Sequence, residues 1–316
     1  MITRRLLRPA SAFASSGWTC TACARASIIS QTRIPQQQKR AHHVPPLTYD
    51  ETFTRAGIPG LLSPHGYLIA WSDYQESLVN KLNELTAGEP IEHAQTKDLA
   101  IQFARDPMSA SLFNHASMAH NNHFFFSTLA PVPLSLEKVP SLKQSLCNTF
   151  GTIDTLKATM LDTAATMFGP GYVWLVWARN LDNAPVGGSS KSRGSWRILT
   201  TYLAGTPYPE AGYRQQGIDA NNQNAHSYND YMKATPPVGM FGAHSKSGQE
   251  QAKMPPGGTQ VLPVLCVNTW EHVWLRDYGI NGKRKYLADW WGVIDWGLVE
   301  QKTPTEASHP VEFIRS

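Results

Sequence analysis

Two histidines one helical turn apart are the first residues of this sequence whose spacing suggests chemistry. His120 and His123 fall on one face of a predicted helix, where two imidazoles can share a metal ion. Two imidazoles alone make a weak site, because stable sites generally use three or four protein ligands. The favoured alternative is that His123 is a core histidine without a metal and that His115 and His120 lie on the polar face of the helix.

The four cysteines predict no disulfide framework. Cys20 and Cys23 form a single C-x-x-C pair inside an N-terminal segment that we expect to be removed. Cys147 and Cys266 lie in apolar stretches, which favours buried free thiols.

Residues 1–41 have the composition of a mitochondrial presequence. Seven basic and no acidic residues precede Asp50, among many Ser, Ala and Thr. We therefore expect cleavage near Arg40 or Ala41 and localisation in the mitochondrial matrix; the alternative is a basic arm that binds nucleic acid. Without these seven, 21 Lys and Arg face 24 Asp and Glu, a net charge of −3. A general basic surface for nucleic acid is not expected.

Hydrophobic periodicity predicts a helical first half and a sheet in the second. Apolar residues recur at steps of three and four from Tyr67 to Asn83, which predicts a helix. Further helices are predicted at 97–103, 108–126, 141–150 and 153–168, strands at 172–178, 196–203 and 261–267, and the start of a closing helix at 287–291. Thr152 is the expected N-cap of the helix at 153–168. This order predicts an α+β fold with a three-stranded antiparallel sheet.

The same pattern predicts the domain boundaries. An N-terminal helical-hairpin domain spans 42–131, a C-terminal α/β domain spans 132–302, and a tail covers 303–316. A Pro-rich and Asn-rich insertion at about 204–258 interrupts the second domain. The insertion contains equal numbers of basic and acidic residues. We expect it to become ordered on contact with neighbouring proteins through its tyrosines, which are Tyr208, Tyr213, Tyr228 and Tyr231.

Three ordered stretches of the sequence resemble the iron/manganese superoxide dismutases. The first is HVPPLTYD at 43–50, followed by LVNKLN at 78–83. The second runs from FGTIDTLK at 150–157 to FGPGYVWLV at 168–176, and the third from NTWEH at 268–272 to YLADWWGVIDW at 286–296. Three matches in order are more specific than any short motif alone. The resemblance implies the fold of that family.

Members of that family bind one iron or manganese ion through three histidines and one aspartate, and the resemblance locates each position here. The first histidine is replaced by Ala70, and the aspartate by Asn268. The other two histidines are retained as His123, which follows Asn122, and His272. Alanine offers no lone pair and asparagine no anionic oxygen. We therefore expect vestigial ligands at His123 and His272, and no metal, no cofactor and no catalytic residue.

The resemblance also implies a dimer contact. In the family, the glutamate of the third motif reaches across the dimer interface to the partner's metal-ligand histidine. Its retention as Glu271, beside His272, predicts that the dimer interface has outlasted catalysis. The alternative is a local pair between Glu271 and Arg276.

Two basic clusters are candidate contacts with rRNA phosphates. Lys283, Arg284 and Lys285 are expected in the turn before the last helix, and Lys191 and Arg193 in a Gly/Ser turn. The alternative is a pair of solvated surface turns.

Degenerate superoxide dismutase-like proteins occur in the small subunit of fungal mitochondrial ribosomes, where two of them pair. The resemblance thus implies a structural ribosomal protein that pairs with a second superoxide dismutase-like subunit. It would dock mainly on ribosomal proteins, with minor rRNA contacts, and would have neither a membrane nor a small-molecule substrate as its partner. The alternatives are an active or altered superoxide dismutase, and an inactive partner that regulates one.

Overall fold

The computed structural model describes residues 42–180, 194–211 and 259–308, apart from the side chains of Asn180 and Thr259. Described residues belong to one compact unit, and the division at 131/132 stays a prediction. Lys191, Arg193 and the insertion beyond Ala211 lie outside the described residues. None of the described helices is long and apolar enough to cross a membrane.

The helix predicted from Tyr67 to Asn83 exists, but its regular hydrogen bonding is interrupted. It consists of α2 (Pro64–Tyr67), a π-helical turn (Leu68–Asp73) and α3 (Tyr74–Thr86). Ser63 begins α2 by accepting a hydrogen bond from the Gly66 N–H at 3.0 Å. The π turn contains Ala70, and such turns are frequent at functional sites.

Five further helices belong to the described first half of the chain. They are α1 (Asp50–Ala56), α4 (Thr96–Phe103), α5 (Ala110–Phe126), α6 (Pro140–Phe150) and α7 (Ile153–Thr166). Both α3 and α4 contact α5, and α6 packs against α7. Thr152 caps α7 as predicted, because its side chain accepts a hydrogen bond from the Thr155 N–H at 3.1 Å.

Within the described residues the sheet has three antiparallel strands, as predicted, and their order is β2-β1-β3. They are β1 (Gly171–Asn180), β2 (Gly194–Tyr202) and β3 (Thr259–Asn268). Apolar residues 172–178 of the central strand are all buried. Pro263 lies in edge strand β3 beside a register shift, where its missing N–H removes no regular ladder bond.

Four helices follow the sheet, and they are α8 (Glu271–Tyr278), α9 (Lys283–Gly292), α10 (Trp296–Lys302) and α11 (Thr305–Ser308). The sequence predicted only α9, and placed its start four residues too late. Residues 305–308, predicted as tail, form α11 because Glu306 pairs with Arg179 of β1 and accepts from Trp177 Nε1 at 3.2 Å.

Candidate functional site

The positions that the sequence predicts to correspond to metal ligands lie on elements that meet in the core. Ala70 is in the π turn, His123 is near the end of α5, Asn268 ends β3 and His272 is in the first turn of α8. Ala70 and Asn268 are fully buried. Contacts through Asn122 connect them, since its side chain bonds to both.

A chain of three buried side-chain amides crosses this part of the core. Asn268 Nδ2 donates to Asn122 Oδ1 at 3.4 Å, and Asn122 Nδ2 donates to Gln75 Oε1 at 3.1 Å. Gln75 Nε2 donates to the carbonyl of Ala119 at 3.0 Å, and Asn122 also reaches the carbonyl of Ala70 at 3.3 Å. All three amides have an exposed fraction of 0%. We call Gln75, Asn122 and Asn268 the amide relay. Only Asn122 and Asn268 were indicated by sequence motifs.

Neutral groups surround the Asn268 end of the relay. The Trp270 N–H donates to Asn268 Oδ1 at 2.9 Å, and Tyr286 Oη donates to its carbonyl at 2.8 Å. Tyr172 Oη lies 3.5 Å from Asn268 Nδ2. Burial raises the pKa of Tyr172 and Tyr286 well above the ordinary value, so both phenols stay neutral at physiological pH.

His123 does not direct its Nε2 to a metal position. That atom lies 3.4 Å from the carbonyl oxygen of Pro46. A carbonyl only accepts hydrogen bonds, so this contact favours the tautomer with the proton on Nε2 and the lone pair on Nδ1. Burial lowers the pKa of His123, which favours the neutral ring.

His272 is held between aromatic rings. Its centroid is 4.1 Å from that of Tyr74 and 5.7 Å from that of Trp270. Within the described part of the chain, its buried Nε2 has no hydrogen-bond partner. Burial lowers the pKa of His272 to about 4, so the imidazole is neutral at physiological pH.

These residues do not fit the iron or manganese ion of the superoxide dismutase fold. Each amide oxygen of the relay already accepts a hydrogen bond, His123 faces Pro46, and Ala70 has no donor atom. Over residues 42–180, 194–211 and 259–308, no group of three or more His, Cys, Asp and Glu side chains could hold a metal. Nε2 of His272, like Nε2 of His42, is a buried ring nitrogen without a hydrogen-bond partner among the described residues.

His120 does not join His123 at a metal. Its Nε2 lies 2.8 Å from Tyr208 Oη, and Lys97 Nζ lies 4.5 Å from the centre of the Tyr208 ring. Burial, and secondarily the charge of Lys97, lowers the pKa of His120 to about 4. The sequence indicated neither the burial of His120 nor its contact with Tyr208, which come from the segment after β2.

Glu271 is exposed at the start of α8, where a carboxylate is favourable beside the helix N-terminus. The alternative local pair with Arg276 is not among the ion pairs of the described residues. Burial lowers the pKa of Lys283, and the negative charge of Glu271 opposes that change. The carboxylate therefore lies within electrostatic range of Lys283.

The basic cluster at 283–285 forms the first turn of α9 and not the turn before the last helix, so that prediction is wrong. Lys283 Nζ donates to the carbonyl of Met167 at 2.9 Å. Lys285 pairs with Asp289 at 2.6 Å, and Arg284 lies 3.5 Å from Asp162. Each of the three cations thus already has a partner within the chain.

Exposed apolar side chains gather where β1 begins and β2 ends, which the sequence did not indicate. Phe168 is 98% exposed, Leu203 59% and Tyr202 54%. The Leu203 N–H donates to the carbonyl of Pro170 at 3.0 Å, which places Leu203 beside the turn that follows Phe168. We call Phe168, Tyr202 and Leu203 the apolar strip. Met167, directly before Phe168, accepts the hydrogen bond from Lys283, and Lys283 lies within electrostatic range of Glu271. The apolar strip and Glu271 therefore lie near each other.

Comparison with known proteins supports this geometry. The model of the C-terminal domain of iron/manganese superoxide dismutases matches residues 138–195 and 243–302. This chain carries a superoxide dismutase-like fold. The resemblance stated from the sequence is therefore confirmed, and the gap in the match overlaps the predicted insertion.

Ribosomal proteins are among the relatives of this superoxide dismutase-like chain. It is 26% identical to small ribosomal subunit protein mS42 of Schizosaccharomyces pombe, over 81% of this chain and 96% of the relative. It is 25% identical to mS43 of the same organism, over 77% of this chain and 79% of the relative. An iron superoxide dismutase of Helicobacter pylori is 22% identical, over 79% of this chain and 84% of the enzyme.

Proposed function

We propose that this chain is a structural constituent of the mitochondrial small ribosomal subunit and has no enzymatic activity. The observation that carries the proposal is its similarity to mS42, which extends over 96% of that protein. A match of that extent includes both the helical first half and the sheet.

The chemistry of the core supports a role without catalysis. Dismutation of superoxide needs a metal that changes its oxidation state, and the protein's part is to hold and tune that metal. Ala70 and Asn268 stand at two of the four predicted ligand positions, and the amide relay uses the side-chain amide of Asn268 in hydrogen bonds. Purified protein with stoichiometric iron or manganese and dismutase activity would contradict this part of the proposal.

The partner in this proposal is a second superoxide dismutase-like subunit, and the chains pair through the face that contains Glu271 and His272. The unpartnered Nε2 of His272 and the exposed carboxylate of Glu271 support such a contact. The neighbouring apolar strip adds surface that gains free energy when it is removed from water. Similarity to two ribosomal proteins, mS42 and mS43, is consistent with a pair of related subunits.

Contacts with rRNA are a minor part of this proposal. A net charge of −3 after removal of residues 1–41 disfavours a broad phosphate-binding surface. The cations of the 283–285 cluster are already paired within the chain, which lowers their value as phosphate ligands. Docking on ribosomal proteins is therefore the main mode of assembly that we propose.

Import into mitochondria, with cleavage near Arg40 or Ala41, completes the proposal. The test is to tag the chain at its C-terminus in cells and to separate a mitochondrial extract on a sucrose gradient. We expect co-sedimentation with the small subunit, with ribosomal proteins and a second superoxide dismutase-like chain in the tagged fraction. Sedimentation with free matrix enzymes would contradict the proposal, and recovery with an active superoxide dismutase would instead favour an inactive regulatory partner.

A further inference from the structure

All hydrogen bonds of the amide relay run in the same direction, and the backbone completes the relay at both ends. Each amide donates its NH₂ group to the oxygen of the next, from Asn268 to Asn122 to Gln75, and the chain ends on the carbonyl of Ala119. At the other end, the Trp270 N–H donates to the oxygen of Asn268. The relay therefore begins at a backbone donor and ends at a backbone acceptor, so no charged group is needed to complete it.

The relay joins elements that are far apart in the sequence. Gln75 belongs to α3, Asn122 to α5 and Asn268 to the end of β3. The resemblance places metal ligands at His123 of α5, at Asn268 of β3, and at Ala70 in the π turn directly before α3. In the fully buried interior, a hydrogen bond is electrostatically stronger than in water, and a broken relay leaves a polar group without a partner.

We infer that the amide relay of Gln75, Asn122 and Asn268 has replaced the metal as the cross-link between the N-terminal helices and the sheet, so that the chain reaches full stability without a metal ion. The inference concerns how the chain folds, and it holds whether or not the protein is ribosomal. In this inference the asparagine at 268 stabilises the fold, because an aspartate at this position would lack the NH₂ group that donates to Asn122.

A double-mutant cycle tests whether the three amides act as a unit. Gln75 and Asn268 have no direct hydrogen bond to each other, so coupling between them must pass through Asn122. Gln75→Met and Asn268→Leu in the full chain are each expected to lower the thermal midpoint by about 5 °C. The double variant should lose clearly less than the sum, because the first substitution has already broken the relay.

The matched control is Asn121, a fully buried amide on the same helix whose Nδ2 bonds to Gly205 O at 2.9 Å, outside the relay. Asn121→Leu combined with Gln75→Met should give additive losses. Additive losses in the Gln75 and Asn268 pair as well would overturn the inference. So would coupling of equal size in the control pair.

A second experiment remains decisive if the leucine variants do not fold. Asn268→Asp restores the acidic ligand of the family, and exposed Asn281→Asp is the same change on the surface. In metal-free buffer, Asn268→Asp should lower the midpoint by about 10 °C relative to Asn281→Asp, because it buries a carboxylate without a cationic partner. Manganese or ferrous salt should restore none of that loss.

The unmodified full chain should also be insensitive to metal. EDTA should leave its midpoint unchanged, and added manganese or ferrous salt should not raise it, since only a ligand that binds the folded state shifts the midpoint. Elemental analysis should find far less than one metal ion per chain. Stoichiometric metal, destabilisation by EDTA, or recovery of Asn268→Asp by manganese would each overturn the inference.

Discussion

The residues at the predicted ligand positions decide what this buried site can hold. Ala70 has no donor atom, and the side chain of Asn268 has the shape of an aspartate but carries a hydrogen-bond donor. That donor bonds to Asn122, so the site completes hydrogen bonds among neutral amides. Gln75 has no counterpart among the motifs, and only its position beside Asn122 reveals its role.

His120 gives the chain a sensitivity to acid. Burial lowers its pKa to about 4, while the unfolded chain has the ordinary value of about 6.5. Above pH 6.5 the ring is neutral in both states and its environment contributes full stability. As the pH falls from 6.5 toward 4 the unfolded state takes up the proton first, so stability is lost. Lys97 and Lys302 face this ring and their positive charges act in the same direction, as does His123 once it is protonated.

His120→Gln should remove the pH-dependent contribution of His120 to the free energy of unfolding. Between pH 7 and pH 5, the original chain is expected to lose about 2 kcal/mol more of its free energy of unfolding than the variant does. Urea denaturation at the two pH values measures the difference. His115→Gln on the same helix is the control and should behave like the original chain. An equal loss in His120→Gln would show that other groups cause the acid sensitivity.

Local signals account for the helices that the sequence predicted. Thr152 caps α7 with its own side chain, which is a short-range interaction that a sequence pattern can reveal. Asp295 does the same for α10, accepting from Gly297 N–H at 2.9 Å and Leu298 N–H at 3.0 Å. This cap was present in the sequence before Trp296 and could have predicted α10. By contrast, Trp270 at the N-cap of α8 makes no side-chain cap bond.

Thr152→Ala should destabilise the protein by about 1 kcal/mol, because the Thr155 N–H loses its side-chain acceptor. Chemical denaturation measures the change. Thr159→Ala is the control within the same helix, since the Thr159 hydroxyl donates to the Thr155 carbonyl, which the helix already uses. The control should be neutral or slightly stabilising. A comparable loss in both variants would argue against the cap as the cause.

At the scale of the whole molecule, the apolar strip is the surface most in need of a partner. Phe168 is 98% exposed beside Leu203 and Tyr202, and exposed clusters of this kind mark interaction sites. The apolar strip lies near Glu271, because Lys283 bonds to Met167 beside the strip and is within electrostatic range of Glu271. One partner could therefore cover both the strip and Glu271.

Phe168→Asp should weaken pairing without affecting the fold, because the side chain makes little contact within its own chain. We expect at least a tenfold lower recovery of the second superoxide dismutase-like subunit in a pull-down, with an unchanged thermal midpoint. Met108→Asp replaces another exposed apolar residue, 93% exposed on a different element, and should leave recovery unchanged. Normal recovery with Phe168→Asp would remove the strip from the proposed interface.

The sequence by itself determined the α+β class, most helices of the first half and the three strands, and it predicted which metal ligands are replaced. These follow from periodicity, caps and motif positions, which act over short stretches of chain. Only the tertiary structure decided that His123 faces Pro46, that His120 meets Tyr208 and that Gln75 joins Asn122 and Asn268. Such contacts connect residues tens to more than a hundred positions apart, and burial gives them their strength. The sequence could therefore show that the metal site was incomplete, but not what occupies the core in its place.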